Sequence, residues 1–225
     1  PFDKVFASLG TPLSDATEER HYRKLLHRGT FVRNRDKDAP DHSCRLCGCS
    51  EETIMHLFKC EKTKPLWAKC IGFCETVLGY DRPRHVPEAI IFGLQNKVEG
   101  TLYGEDALAF LRHAYGQFYH DFANVDLKGA SFHVPLTFAN ALKSFRSAVL
   151  RYGMQHRILW KTRYMTNLVD TAPEAARERF SKLISIDTEG VFVLEDKFTA
   201  AVAEAEREAE NYFGSHHAHR PNQRN

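Results

Sequence analysis

Four residues in one short stretch have the types and spacing to hold a metal ion: Cys44, Cys47, His56 and Cys60, written as C-x2-C-x8-H-x3-C. Two cysteines three positions apart can turn both sulfurs toward one point. Gly48, directly after them, lets the backbone curl without a Cβ clash. His56 and Cys60 are four apart, hence neighbours on one face if this segment is helical. A pair from a turn and a pair from a helix can close a tetrahedron. Thiolates with one imidazole suit zinc, and four protein ligands leave no position for a substrate water, so the ion expected is a structural Zn2+. Either pair alone would be ambiguous, because Cys-x-x-Cys can be redox-active and His-x-x-x-Cys can be packing. Their combination favours metal.

All six cysteines fall between Cys44 and Cys74. A secreted disulfide scaffold would distribute its bridges through the chain, so the clustering predicts metal chemistry in a reducing, intracellular compartment, cytoplasmic or nuclear. Cys49 is the competitor for a place among the ligands. Cys70 and Cys74 sit four apart on an apolar helix face and read as buried thiols.

The elements that must position these residues are mainly helical. Asp15 and Glu18 have capping-box spacing ahead of a helix from Ala16 to Arg28, whose apolar side carries Tyr22, Leu25 and Leu26 and whose stop is Gly29. Thr30–Arg33 reads as extended, and Asn34–Ser43 as a polar loop. Ser50 can cap a second helix with Glu51 and Glu52 in its first turn and Lys59 near its end, both favourable to the helix dipole. Pro65 opens a third helix, ended by Gly79. The Pro-containing stretch Asp81–Pro87 reads as a junction. A helix over Gly104–Ala123 carries Leu108, Leu111, Tyr115, Phe118 and Phe122 at three- and four-residue steps. The longest, Pro135–Val169, repeats the pattern with Phe138, Leu142, Phe145, Val149, Tyr152, His156 and Leu159. Such stripes are core before they are ligand boxes. Ile184–Ile186 and Val191–Leu194 are candidates for a short hairpin, and Glu195–Phe213 for a last helix with Phe198, Val202, Ala205 and Ala209 inward. The expected fold is therefore mainly α. A zinc-knuckle module occupies residues 1–80, a helical region 81–172, and a hairpin, acidic helix and disordered tail 173–225.

Charge is distributed unevenly. Residues 20–69 hold twelve Lys and Arg against six Asp and Glu, residues 137–163 hold six basic and no acidic residues, and residues 171–225 hold seven basic against ten acidic. A basic run is often only a solvated face, but its overlap with a metal motif points toward nucleic acid. The candidates for phosphate contact are Arg20, Arg23, Lys24, Arg28, Arg33, Arg35, Lys37, Arg45, Lys59, Lys62, Lys64 and Lys69. Arg146, Arg151, Arg157, Lys161 and Arg163 either extend that surface or serve helix solubility. No apolar run reaches membrane-spanning length. Pro1-Phe2-Asp3-Lys4 offers neither an initiating Met nor a signal-peptide core, so an upstream segment of a longer polypeptide is expected.

The stretch from about residue 18 to 75 resembles the zinc-binding domain that follows the polymerase in reverse transcriptases of non-LTR retrotransposons. The residues carrying the resemblance are Leu25-Leu26-His27-Arg28, Cys44-Arg45-Leu46-Cys47-Gly48, Glu51-Glu52, His56-Leu57-Phe58, Cys60 and Trp67. Three residues separate His56 from Cys60 where the family commonly has four. The resemblance implies a zinc-binding, nucleic-acid-binding accessory region of a polyprotein, non-catalytic in itself, with an upstream polymerase domain of the same polypeptide and RNA or DNA as partners through phosphates. Two other classes compete. A zinc-stabilised protein-interaction module would dock through the knuckle and the Phe/Tyr stripes. A nuclease fused to a zinc domain would need converging carboxylates with a catalytic lysine, and Asp41, Asp121 and Asp126 lack such a motif.

Overall fold

The computed structural model describes residues 13, 16–27, 29–38, 40–49, 51–80, 104–128, 131–165, 180–186 and 192–217, with the side chains of 18, 105, 126–128, 155–165, 186, 192, 213 and 215–217 excepted. Asp15, Arg28, Ser50, the junction Asp81–Pro87, and the side chains of Glu18, Asp126, His156, Arg157, Leu159, Lys161 and Arg163 lie outside the described part. Six helices and one hairpin follow in chain order. They are α1 (Ala16–Leu26), a 3-10 turn (Arg33–Arg35), α2 (Ile54–Lys59), α3 (Lys64–Thr76), α4 (Glu105–Lys128), α5 (Val134–Met165), β1 (Ile184–Ile186), β2 (Phe192–Leu194) and α6 (Asp196–His217). The fold is mainly α with one small antiparallel sheet.

Each helix buries the stripe that its periodicity marks. Tyr22 and Leu25 turn α1 inward against α4. Leu66, Trp67, Cys70, Phe73 and Cys74 do the same for α3, which begins with Pro65 in its first turn. Gly79 follows at φ 65°, a left-handed conformation open to glycine at little cost. Leu111, Tyr115, Phe118 and Phe122 of α4 are buried, as are Phe138, Leu142, Phe145, Val149 and Tyr152 of α5. α5 is the central element, packed on α3, α4, α6 and β2. Phe73 sits at the crossing, with ring centroids 4.4 Å from Phe110, 6.4 Å from Phe145 and 5.9 Å from Phe198. These spacings are those of tilted and edge-to-face aromatic pairs.

The hairpin pairs Ile184 with Leu194, Ser185 with Val193 and Ile186 with Phe192. It delivers the chain into α6, whose Phe198, Val202, Ala205 and Ala209 close the core. The acidic outer residues of α6 are partly consumed by the basic helices, since Glu208 pairs with Lys69 at 2.7 Å and Glu206 with Lys143 at 3.4 Å. One buried cluster draws on α1, α2, α3, α4, α5, the hairpin and α6, so the knuckle region and the helical region share a core.

The start of α2 differs from the sequence expectation. Thr53, not Ser50, is its N-cap, and the Thr53 hydroxyl accepts the His56 N–H at 2.9 Å. Glu51 instead forms an isolated antiparallel bridge with Ser43, and Glu52 is buried. The acidic pair that would have suited a helix N-terminus is used to close the loop ahead of it.

Candidate metal centre

Cys44 and Cys47 lie on the turn after the polar loop. Gly48 takes φ 69°, and its N–H donates to the Cys44 carbonyl at 2.7 Å, which folds the turn back on itself. A Cβ at Gly48 would touch nothing within 4 Å, so only backbone conformation selects glycine there. Gly48→Ala is therefore expected to lower stability by about 1–2 kcal/mol, the left-handed penalty of an L-residue, in chemical denaturation.

His56 and Cys60 come from α2 and its C-cap, where the Cys60 N–H donates to the His56 carbonyl at 2.7 Å. The short helix is held at its end by two donors on the Leu57 carbonyl, the Thr63 hydroxyl at 2.6 Å and the Trp67 indole N–H at 3.4 Å. Phe58 packs on Trp67 at 5.0 Å and on Tyr115 of α4 at 6.1 Å. The His-Leu-Phe segment and the later Trp thus fix the helical ligand pair to the core.

The four ligand atoms gather within 4.8 Å of one another, close enough to hold a metal ion. The Cys44 and Cys60 sulfurs are 3.9 Å apart, and the Cys47 sulfur is 3.4 Å from His56 Nε2. Tetrahedral zinc with bonds of about 2.3 Å to sulfur and 2.0–2.1 Å to nitrogen has edges of about 3.8 Å and 3.5 Å. The observed separations fit such an ion, and the donor set of three sulfurs and one imidazole is consistent with zinc. The three-residue spacer between His56 and Cys60 places both in the cluster. Among the described residues no second such cluster forms.

Burial and mutual crowding govern the cluster's thiols. Burial, with the adjacent Cys44 and Cys47 sulfurs adding to it, pushes the Cys60 thiol up to about 12, and burial raises Cys44 as well. Burial also raises Cys47. The Cys49 N–H and hydrogen bonds with His56, Cys60 and Cys44 outweigh it and bring Cys47 down to about 6. Three crowded thiols cannot all ionise by themselves, whereas a bound divalent ion deprotonates its thiol ligands outright. Cys49 is exposed, its sulfur turned to the Cys47 carbonyl at 3.1 Å and outside the cluster. Cys70 and Cys74 are buried in α3, and burial pushes both thiols up.

The cluster is braced by a pair that the spacing did not reveal. Glu52 and Arg45 side chains are 0% and 3% exposed and meet at 2.6 Å. The Arg45 Nη2 and Nε donate to the two Glu52 oxygens at 2.6 and 2.9 Å. The backbone N–H groups of Arg33 and Arg45 add bonds of 2.9 and 3.0 Å. One carboxylate therefore ties the metal turn to the 3-10 turn. The Arg45 guanidinium also lies 4.2 Å from the Phe122 ring of α4. The sequence signal was present, an acidic pair and an Arg between the two cysteines, but nothing in it distinguished a buried ion pair from surface charge.

The candidate phosphate contacts fall into several groups. Arg20, Arg23 and Lys24 are exposed on α1, Arg35 and Lys37 on the following loop, and Lys59, Lys62 and Lys64 around the end of α2. Of these, Arg23 pairs with Glu19 at 3.5 Å and Lys64 with Glu61 at 3.6 Å. Arg33 is half-buried, with Nη1 on the Ser43 carbonyl at 3.3 Å. Arg45 is not on this surface, because its charge is committed to Glu52. Lys69 is engaged with Glu208. Arg146 and Arg151 are exposed on α5. Of the carboxylates considered for catalysis, Asp41 holds Ser43 and Asp121 accepts from Gln117 at 2.8 Å and Thr137 at 2.6 Å.

Compared with protein-family models, with curated proteins and with solved structures, the chain shows no match. No helix among the described residues is long and apolar enough to cross a membrane.

Proposed function

We propose that this chain is a zinc-stabilised, nucleic-acid-binding accessory region of a retrotransposon reverse-transcriptase polyprotein, non-catalytic in itself and working in a reducing compartment beside an upstream polymerase domain. The observation that carries this reading is the convergence of Cys44, Cys47, His56 and Cys60 into a closed four-ligand site. The ion fixes the loop and the short helix, and the cations of α1 and of the loops around residues 35–37 and 59–64 supply phosphate contacts. Such contacts position a polynucleotide without reading its sequence. The protein-interaction reading loses its main surface, because the Phe and Tyr stripes of α4 and α5 are buried in this chain's own core. What favours it is the exposed pair Leu150 and Met154, one turn apart on α5.

Neutralising about four to six phosphates on a single strand gives a log–log salt slope of about −3 to −4. Affinity for a labelled oligonucleotide is therefore expected to fall about a hundredfold between 50 and 200 mM salt, by the counterion-release relation that such contacts obey. Arg23→Glu combined with Lys24→Glu should lower both the affinity and the slope. A flat dependence, or binding indifferent to the charge reversal, contradicts the proposal.

A further inference from the structure

Thr30, Phe31 and Val32 alternate inward, outward and inward. Thr30 and Val32 are buried, and the Thr30 hydroxyl pairs with the Tyr115 hydroxyl at 2.9 Å. Phe31 between them is 50% exposed, and its N–H donates to the Tyr119 hydroxyl at 3.4 Å. The Thr30 side chain and the Phe31 backbone are thus tied to α4, and with Val32 buried the ring is left toward solvent. Its inner side is backed by the Arg45 guanidinium, 5.4 Å from the ring centroid, which is itself fixed by Glu52. Among the residues whose side chains are described, Phe31 is the one exposed aromatic.

Basic residues outnumber acidic ones in its neighbourhood. An open groove along α1 is lined by Arg20, Arg23, Lys24 and His27, with one carboxylate, Glu19, 3.5 Å from Arg23, and it reaches Gly29, two residues before Phe31. Lys37 is exposed six residues after it, between Asp36 and Asp38. A fixed aromatic face beside a cationic track is the combination that binds unpaired bases, the ring stacking on a base while the cations hold the backbone. In a duplex the base faces are already stacked and unavailable.

We propose that Phe31 is a stacking platform for an unpaired base of single-stranded nucleic acid, whose phosphates follow Arg20, Arg23 and Lys24 along α1. This rests on the nucleic-acid reading above and deepens it, because it names the unpaired strand as the ligand. Arg45 acts as a positioning residue, holding the ring flat against the knuckle.

The test uses the full zinc-loaded chain with fluorescein-labelled oligo(U), oligo(dT) and a matched duplex as probes. Phe31→Leu keeps the apolar bulk without the flat face, and Phe31→Tyr keeps the face. Phe31→Leu is expected to weaken binding of the single strands about tenfold, with salt slope and duplex affinity unchanged. Phe31→Tyr should bind like the parent. The proposal is overturned if Phe31→Leu binds single strands as the parent does, or loses duplex affinity equally. It is also overturned if Phe31→Leu changes only self-association, which would assign the ring to a protein contact. If the charge-reversed variant is impaired and Phe31→Leu is not, the stacking role alone falls. If the parent binds none of the probes, the nucleic-acid reading falls with it.

Discussion

Cys60→Ser is expected to lower zinc affinity by about three orders of magnitude and to loosen the segment around residues 42–60. A structural zinc site of this type is worth on the order of 10–16 kcal/mol, spread over four ligands, so each ligand accounts for a substantial share. The ion adds to what the Glu52–Arg45 pair and the buried Leu57 and Phe58 supply. α2 has six residues, too few to persist on helix propensity alone. The same loss is expected for His56→Ala. With free zinc held at about a thousandfold over the parent's dissociation constant, binding contributes roughly 4 kcal/mol, or roughly 10 °C in melting temperature for a chain of this size. Cys49→Ser provides the control. Its sulfur is exposed and outside the cluster, so zinc content and melting should match the parent. Zinc content by native mass spectrometry, with melting in the presence and absence of chelator, reads both effects. A Cys60→Ser protein that keeps one zinc and the parent's melting temperature would remove Cys60 from the ligand set.

The second large effect concerns Glu52. Glu52→Ala should destabilise the chain by about 3–5 kcal/mol, the cost of leaving the buried Arg45 guanidinium without its partner. Loss of the bonds from the Arg33 and Arg45 N–H groups adds to it. Arg45→Met combined with Glu52→Gln should cost less than the sum of the single changes, with a coupling of about 1–3 kcal/mol in denaturant titrations. Additivity would mean that the two side chains do not act as a pair.

The pair also sets a pH dependence. Burial by itself would raise the Glu52 pKa, but hydrogen bonds from the Arg45 side chain and from the Arg45 and Arg33 backbones, with the guanidinium charge, hold it below the usual carboxylate value. A depressed folded-state pKa means that the stabilisation is complete above the unfolded value of about 4.3. It is lost as pH falls through the lower, folded value. The gap in stability between the parent and Glu52→Gln should therefore narrow below about pH 4. Parallel curves for the two proteins at every pH would contradict a charged Glu52 in the folded state.

The Cys/His cluster was legible in the sequence because a metal site requires particular side chains at spacings that a turn and a helix dictate. The aromatic stripes of α4 and α5 were equally plain, since a three-to-four periodicity of Phe, Tyr and Leu has few destinations other than a core. What could not be read were choices made by tertiary contact. Ser50 and Thr53 are both acceptable helix caps, and only the bridge from Ser43 to Glu51 decides that the helix waits until Ile54. Arg45 and Lys69 look like the other cations along the chain, yet one is buried against Glu52 and the other meets Glu208 from a helix 139 positions away. Phe31 carried no periodic signal, and its outward register follows from Thr30 being tied to α4 and Val32 being buried.

The absorption spectrum of the cobalt-substituted chain tests the central claim most directly, because it reports ligand type and geometry together. Three thiolates and one imidazole around cobalt should give intense thiolate charge-transfer bands with strong tetrahedral visible bands. Both should be diminished in Cys44→Ser, Cys47→Ser and Cys60→Ser, and shifted in His56→Ala. A weak octahedral spectrum, or one that none of these four substitutions alters, would contradict a metal centre built from Cys44, Cys47, His56 and Cys60.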